Sequence, residues 1–190
     1  MTDHPYTPPT VSRLIVKRAG KAITGQVPKP IVIIDTREQL PYNFSAHQNW
    51  IGSQTVGTLP TGDYSLVGME SLISIERKSL SDLLGTLTQN RERFIRECER
   101  LAQYPYRAIL IEATLEDIKN PTRYSHSDAS PNSIVGTLDA IQARWNIPIL
   151  YTSRSRVLAT EKCASLLSKY FTYHWLETNG LGRILQDGDL

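Results

Sequence analysis

Residues 62–82 read Gly62-Asp63-Tyr64-Ser65-Leu66-Val67-Gly68-Met69-Glu70-Ser71-Leu72-Ile73-Ser74-Ile75-Glu76-Arg77-Lys78-Ser79-Leu80-Ser81-Asp82. Within this stretch the apolar period changes from 2 to 3.6. Asp63–Val67 and Leu72–Lys78 alternate as strands, and Gly68-Met69-Glu70-Ser71 is turn chemistry between them. Leu80, Leu83, Leu84 and Leu87 then recur at i, i+3, i+4 and i+7, the face of a helix. Ser79 and Asp82 have capping-box spacing at its start, with Asp in place of the usual Glu. If the turn is residues 68–71, Val67 opposes Leu72 and, counting outward, Asp63 faces Glu76 directly. Directly opposed side chains share a face, with Cβ atoms about 4.5–5.5 Å apart. Lys78 projects from that same face, and Tyr64, Ile73 and Ile75 from the other, which suits a core.

One face thus gathers two carboxylates and an ammonium, with Ser65 and Ser74 alongside. Opposed carboxylates repel. A divalent cation offsets this, and hard cations such as magnesium prefer carboxylate oxygens. An ammonium beside the metal can orient an attacking water, which is equipment for phosphodiester hydrolysis. The competing reading is a solvated edge hairpin on which Glu76 and Lys78 form a weak surface pair.

Working outward, Ile31-Val32-Ile33-Ile34 is a β-branched run that reads as a central strand, ending at Asp35-Thr36-Arg37-Glu38. Thr55–Leu59 is a short strand and Pro60-Thr61-Gly62 a turn. A helix is expected from Arg91 to Gln103, with Phe94, Cys98 and Leu101 inward. A strand follows over Arg107–Glu112, and Asn120–Asn132 is a polar loop. A helix over Ser133–Trp145, a strand Ile149–Tyr151 and a helix over Ser155–Tyr173 complete the pattern. Strands and helices alternate, so the class is α/β, with helices on both faces of a central mixed sheet. Residues 1–29 read as a loosely ordered arm in which Val11–Val16 can pair as a strand, residues 30–175 as the domain, and residues 176–190 as a tail.

Composition narrows the function classes. With 190 residues, 40% of them hydrophobic, the chain can build one sizeable core. No apolar run reaches the 18 or so residues of a membrane span. Met1–Thr10 is polar and proline-bearing, unlike a secretory signal. Cys98 and Cys163 fit neither a disulfide framework nor a zinc pattern, so both are expected reduced and buried in a reducing cytoplasm. The net charge of +2 permits nucleic-acid binding only through local clustering. Arg91 and Arg93 are the best candidates for phosphate contact. Arg96 and Arg100, interleaved with Glu92, Glu97 and Glu99, read as a solvated, salt-bridged face. His4, His47, His126 and His174 are scattered and suggest no metal site. Tyr170, Phe171, Tyr173 and Trp175 read as core or dimer packing.

Gly62-Asp63 followed by Glu76-Arg77-Lys78 and Asp82 resembles the GD…ERKxxxD signature of XPF-family nucleases. Asp35-Thr36-Arg37-Glu38 resembles the family's first motif, Ser79–Leu87 the helix after the ERK, and Arg91 and Arg93 the arginine region of the next helix. The resemblance spans about residues 30–170. It implies a restriction-endonuclease-like, three-layer α/β/α fold. It implies a magnesium- or manganese-dependent DNA endonuclease, with branched or flap DNA in repair or recombination as its expected substrate. Asp63 and Glu76, with Glu38 or Asp35, match metal-binding or acidic positions, and Lys78 matches the catalytic lysine. Arg77 matches the signature, and is alternatively an ion-pair partner of Asp82 or another acid. Asp82 is either a cap or catalytic. A nuclease-fold scaffold without activity, or an enzyme acting on RNA, are the other readings. Larger family members carry a helix-hairpin-helix module after the nuclease domain. Here only a short stretch follows the last helix, which resembles stand-alone bacterial or phage forms. Family domains pair through late strands and helices, so a homodimer is expected. No organic cofactor is implied.

Overall fold

The computed structural model describes residues 17–24, 27–120 and 130–181. Two short strands, β1 (Lys17–Arg18) and β2 (Lys21–Ala22), pair with each other. The domain proper follows as β3 (Ile31–Asp35), one 3-10 turn at Phe44–His47, β4 (Ser53–Gly57), β5 (Tyr64–Leu66), β6 (Ile73–Ser79), α1 (Leu80–Gln89), α2 (Arg91–Leu101), β7 (Tyr106–Glu112), α3 (Leu115–Lys119), α4 (Pro131–Trp145), β8 (Ile149–Tyr151) and α5 (Arg156–Thr178). The six-stranded sheet has the order β4-β3-β5-β6-β7-β8. Only β5 runs against the rest: it is antiparallel to β3 and β6, and the other neighbours are parallel. The carboxyl ends of β3, β6, β7 and β8 and the start of β5 therefore share one edge of the sheet.

The sheet divides two cores because successive side chains point to opposite faces. On one face Val32, Ile34, Tyr64, Ile73, Ile75 and Leu110 pack with Cys163, Ala164 and Leu167 of α5. On the other, Ile109 and Ile111 pack with the leucines of α1, with Phe94, Cys98 and Leu101 of α2, and with Ile134, Leu138 and Ile141 of α4. This is the expected three-layer, restriction-endonuclease-like arrangement. Cys98 and Cys163 are free, buried and on opposite sides of the sheet, so they cannot meet. Among the described residues no helix is long and apolar enough to cross a membrane.

The hairpin register is the expected one: Tyr64 pairs with Ile75, and the Asp63 N–H donates to the Ile75 carbonyl at 2.9 Å. Other elements differ from expectation. The strand expected at Thr55–Leu59 lies at Ser53–Gly57, because the Leu59 N–H leaves the ladder to donate to Asp35 Oδ2 at 2.7 Å. Helix α3 was not foreseen; a capping box between Thr114 and Asp117 starts it. Helix α5 continues beyond Tyr173, and Leu176, placed in the tail by the sequence, is buried against Val27 from the expected arm. The strand expected at Val11–Val16 lies outside the described residues.

Gly62 starts the hairpin and is the glycine the fold depends on. Its φ is +75°, and a Cβ there would lie 2.3 Å from Ser74 Oγ and 3.1 Å from the Ile75 carbonyl. Ser74 cannot yield easily, since it is buried and its hydroxyl donates to the Thr61 carbonyl at 3.0 Å. Gly62→Ala combines left-handed strain with a clash, so it should cost about 1–3 kcal/mol. The urea midpoint measures this, and an unchanged midpoint would contradict the assigned backbone.

Candidate active site

The sheet edge described above places Asp35 at the end of β3, Asp63 at the entry to β5, and Glu76, Arg77 and Lys78 near the end of β6. Open α/β sheets place ligand sites at such carboxyl ends. Asp63, Glu76 and Lys78 line one continuous cleft with two lobes. One lobe, about 230 Å³, is walled by Arg37, Arg93, Glu97 and Arg100. The other, about 340 Å³, is walled by Glu38, Leu40, Arg77 and Asp82.

The β pleat sends alternate residues of the Glu76-Arg77-Lys78 run to opposite faces. Glu76 and Lys78 project into the cleft, and the Lys78 ammonium donates to Glu76 Oε1 at 2.5 Å. The ammonium also lies 3.6 Å from Glu97 Oε2 and 5.3 Å from the centre of the Phe94 ring. Arg77 goes through to the other face. Its Nε and Nη2 donate to Glu112 at 2.9 and 2.8 Å, and its Nη1 lies 3.4 Å from Glu38. Its main-chain N–H stays on the cleft side and donates to Asp63 Oδ2 at 2.7 Å.

Electrostatically the cleft carries excess negative charge. Burial pushes Asp63 up to about 6, against the opposing pull of the Arg77 N–H. Burial, then the Asp63 charge, push Glu76 well above the usual carboxylate range, with Lys78 pulling the other way. Burial alone would lower Lys78, but Glu76 and Glu97 together hold it above its ordinary value. Asp35 behaves oppositely. Burial would raise it, but hydrogen bonds from Arg37 and the Leu59 N–H hold it low. Arg37 Nε and Nη2 reach its two oxygens at 2.6 and 3.1 Å.

The cleft does not gather every expected residue equally. Asp35 lines it but is committed to Arg37. Glu38 was an expected third metal ligand. It accepts from the Leu40 N–H at 2.8 Å and faces Arg77. Asp82 is not the partner of Arg77; it accepts from Ser79 Oγ at 2.6 Å, and that hydroxyl caps α1 by accepting from the Asp82 N–H. Arg93 lines the cleft, whereas Arg91 does not. Arg100, read from sequence as solvated, does line it. The reason is helical: Arg93, Glu97 and Arg100 fall at i, i+4 and i+7 on one face of α2, and Arg91 is turned away. Arg96 pairs with Glu92 on the solvated side as expected. Glu97, Glu112, Tyr42 and Arg156 were missed. Glu97 was hidden in an alternating charge run. Glu112 carried one signal, an acid ending a buried strand.

Asp63 and Glu76 each leave one carboxylate oxygen without a hydrogen-bond donor among the described residues. Two hard oxygen donors with unrelieved repulsion fit magnesium or manganese, which take one or two carboxylates and complete their shell with water and phosphate oxygens. Among the described residues no group of three or more acids, histidines or cysteines is placed to hold a metal by itself.

Residues 34–160 match the family model of the ERCC4 domain, two thirds of the chain. The chain belongs to the ERCC4 family of XPF-type nuclease domains. XPF from Aeropyrum pernix is similar in structure, with a TM-score of 0.57 and 24% identity over 74% of this chain and 61% of that one. A structure of XPF from Aeropyrum pernix in complex with DNA gives a TM-score of 0.51 and 24% identity over 75% and 66%. This ERCC4 domain thus spans under two thirds of either chain, and at that identity the likeness concerns the fold. No curated protein matches it.

The raised carboxylates predict a pH dependence. An acid whose folded pKa lies above its unfolded value stabilises the fold fully below the unfolded pKa, and this stability is lost as pH rises through the folded value. For Asp63 the window runs from about 3.8 to about 6. Without divalent cations, the difference in Tm between Asp63→Asn and wild type should therefore grow in favour of the variant across this window. Thermal unfolding in chelator at pH 4–8 measures it. A constant difference would mean that Asp63 is not raised.

Proposed function

We propose that this ERCC4 domain is a divalent-cation-dependent endonuclease that hydrolyses DNA phosphodiester bonds, with branched or flap structures as its substrates. The observation that carries the reading is the convergence of Asp63, Glu76 and Lys78 in one cleft, with two carboxylates left short of donors. The structure of XPF from Aeropyrum pernix with DNA supports the choice of polymer.

In this reading Asp63 and Glu76 hold magnesium or manganese. The bound cation supplies Lewis-acid charge at the phosphate and acidifies a water. The Arg77 N–H orients Asp63 by fixing one oxygen, leaving the other for the cleft. Lys78 presents a fixed ammonium that positions the attacking water and offsets charge developing on the phosphate. Arg93 and Arg100 bind phosphates along the rim of the cleft. Arg37, 66% exposed yet anchored on Asp35, adds a third guanidinium there. Asp35 and Glu38 shape the cleft through their arginines.

One observation favours the scaffold reading: Lys78 already pairs with Glu76, and among the described residues no three acids, histidines or cysteines are placed to hold a metal together. Cleavage of a panel of duplex, flap, fork and single-stranded substrates, with and without magnesium or manganese, separates the two. Lys78→Ala should lower the cleavage rate on the order of 10²- to 10³-fold, as for removal of one charge-stabilising donor. Its DNA affinity should fall only modestly, because one of many phosphate contacts is lost. Asp63→Asn should stop cleavage through loss of the cation. Wild-type rates in both variants would refute the catalytic assignment; binding without any cleavage by wild type would establish the scaffold.

The proposal extends to a homodimer working in a reducing cytoplasm. Tyr170 and Phe171 pack against the chain's own core, and Tyr173 and Trp175 against Val27 and Leu176. A dimer would therefore use other surfaces, and Val157 and Leu158 at the start of α5 are exposed apolar candidates. Light scattering at micromolar concentration should report twice the chain mass; a monomer would remove this part of the proposal.

A further inference from the structure

Lys78 and a divalent cation compete for the same acid. The Lys78 ammonium donates to Glu76 Oε1 at 2.5 Å, so the carboxylate beside Asp63 already holds one positive charge. An ammonium kept there occupies an oxygen and repels any cation in the same cleft. Glu76 is buried, and among the described residues it accepts from no other donor. For Glu76 to serve as a ligand, the ammonium needs another acceptor.

Glu97 stands on the other side of that ammonium. Its Oε2 lies 3.6 Å from Lys78 Nζ, roughly 0.8 Å longer than a charge-assisted hydrogen bond. Among the described residues Glu97 accepts no hydrogen bond, and no other cation lies within ion-pair reach of it. Arg93 and Arg100, which share its wall of the cleft, are exposed and do not pair with it. Glu97 is half-buried, and Phe94, Cys98 and Leu101 of the same helix enter the core, so its carboxylate is held at the cleft. The ammonium also lies over the Phe94 ring, 5.3 Å from its centre, a contact that attracts a cation without fixing which acid it bonds. A lysine ammonium carries three donors on a flexible stem, so it changes acceptor readily.

We propose that Glu97 is a positioning residue that takes over the Lys78 ammonium when Glu76 binds a divalent cation. Lys78 turns from Glu76 Oε1 toward Glu97 Oε2, Glu76 presents both oxygens to the cleft, and the ammonium remains beside the reacting phosphate. This rests on the cation-dependent reading of the cleft and adds what makes Glu76 available to the cation. It also gives the Lys78–Glu76 pair a place in an active enzyme, as the resting arrangement of the cleft.

The test is a double-mutant cycle read by manganese affinity, with no nucleic acid present. Titration calorimetry with manganese chloride follows wild type, Glu97→Gln, Lys78→Ala and the double variant at one pH and one salt concentration. Glu92→Gln controls for the lost charge, since Glu92 is exposed on the solvated side of α2 and pairs there with Arg96. Glu97→Gln should weaken manganese binding several-fold, because Lys78 is then left on Glu76, while Glu92→Gln should bind like wild type. The Tm of Glu97→Gln should stay close to that of wild type, as for surface substitutions. Lys78→Ala should bind manganese at least as tightly as wild type, since the competitor is gone. In the Lys78→Ala background, Glu97→Gln should change the affinity by less than about twofold. Simple attraction between Glu97 and the cation predicts otherwise: an equal loss in both backgrounds, or a larger one without Lys78 to screen Glu97. That pattern, or weaker binding by Lys78→Ala, overturns the handover and leaves the cation reading standing. If the expected coupling is found but wild type cleaves no DNA, the handover stands and the nuclease reading falls. If wild type binds no manganese, both fall.

Discussion

The structure turns on Arg77, which serves both faces of the sheet from one position in β6. Its main-chain N–H holds Asp63 toward the cleft, and its guanidinium donates to Glu112 on the far side and faces Glu38 with Nη1. A buried ion pair is tolerated only when its remaining hydrogen-bonding capacity is filled. Here Tyr42 completes Glu112, and the guanidinium carbons of Arg77 and Arg156 lie 5.7 and 5.2 Å from the centre of its ring. Burial would raise Glu112, but these donors hold it below its ordinary value. A charged, donor-rich layer between β6, β7 and α5 thus fixes the strand that carries the catalytic candidates.

The cleft face follows the opposite rule. Half-buried Asp63 and buried Glu76 lie near each other with too few donors, and their affinity for protons rises accordingly. Perturbed carboxylates in a cleft mark sites that bind something positive. Asp35, at the end of the neighbouring β3, shows the contrast: its oxygens are filled by Arg37 and by the Leu59 N–H, so it ties β3 to the segment after β4. Local structure is satisfied around Asp35 and left unsatisfied around Asp63 and Glu76. That difference separates an acid whose bonds are filled from two acids with accepting capacity left toward the cleft.

Topology brings the basic groups to the same edge. Because β6, β7 and β8 are parallel, the segments leaving them all emerge beside the cleft. The crossover from β6 passes through α1 and α2 and delivers Arg93 and Arg100 to one side. The turn from β8 into α5 delivers Arg154 and Arg156 to the other. Guanidinium groups from distant parts of the chain are thereby brought to both sides of the acidic centre.

The hairpin was legible in the sequence, because strand periodicity and a four-residue turn together set its register and therefore placed Asp63, Glu76 and Lys78 on one face. The α1 leucines, the inward face of α2 and the two buried thiols were legible for the same reason: period alone decides which side of an element is buried. The partners of the charged groups were not. Glu112 lies 35 residues from Arg77 and Arg156 lies 44 from Glu112, contacts that exist only once β6 and β7 are neighbours and α5 covers them. Glu38 could not be matched to Arg77, 39 residues away, until β3 and β6 were brought to the same edge of the sheet. Arg100 could not be told from Arg96 until α2 was placed beside the cleft, because period fixes the inward face of a helix but not which of its outer faces borders the cleft. Local sequence determined which residues share a face, since that depends only on backbone period. Tertiary packing decided which charges meet, since that depends on where distant segments are brought together.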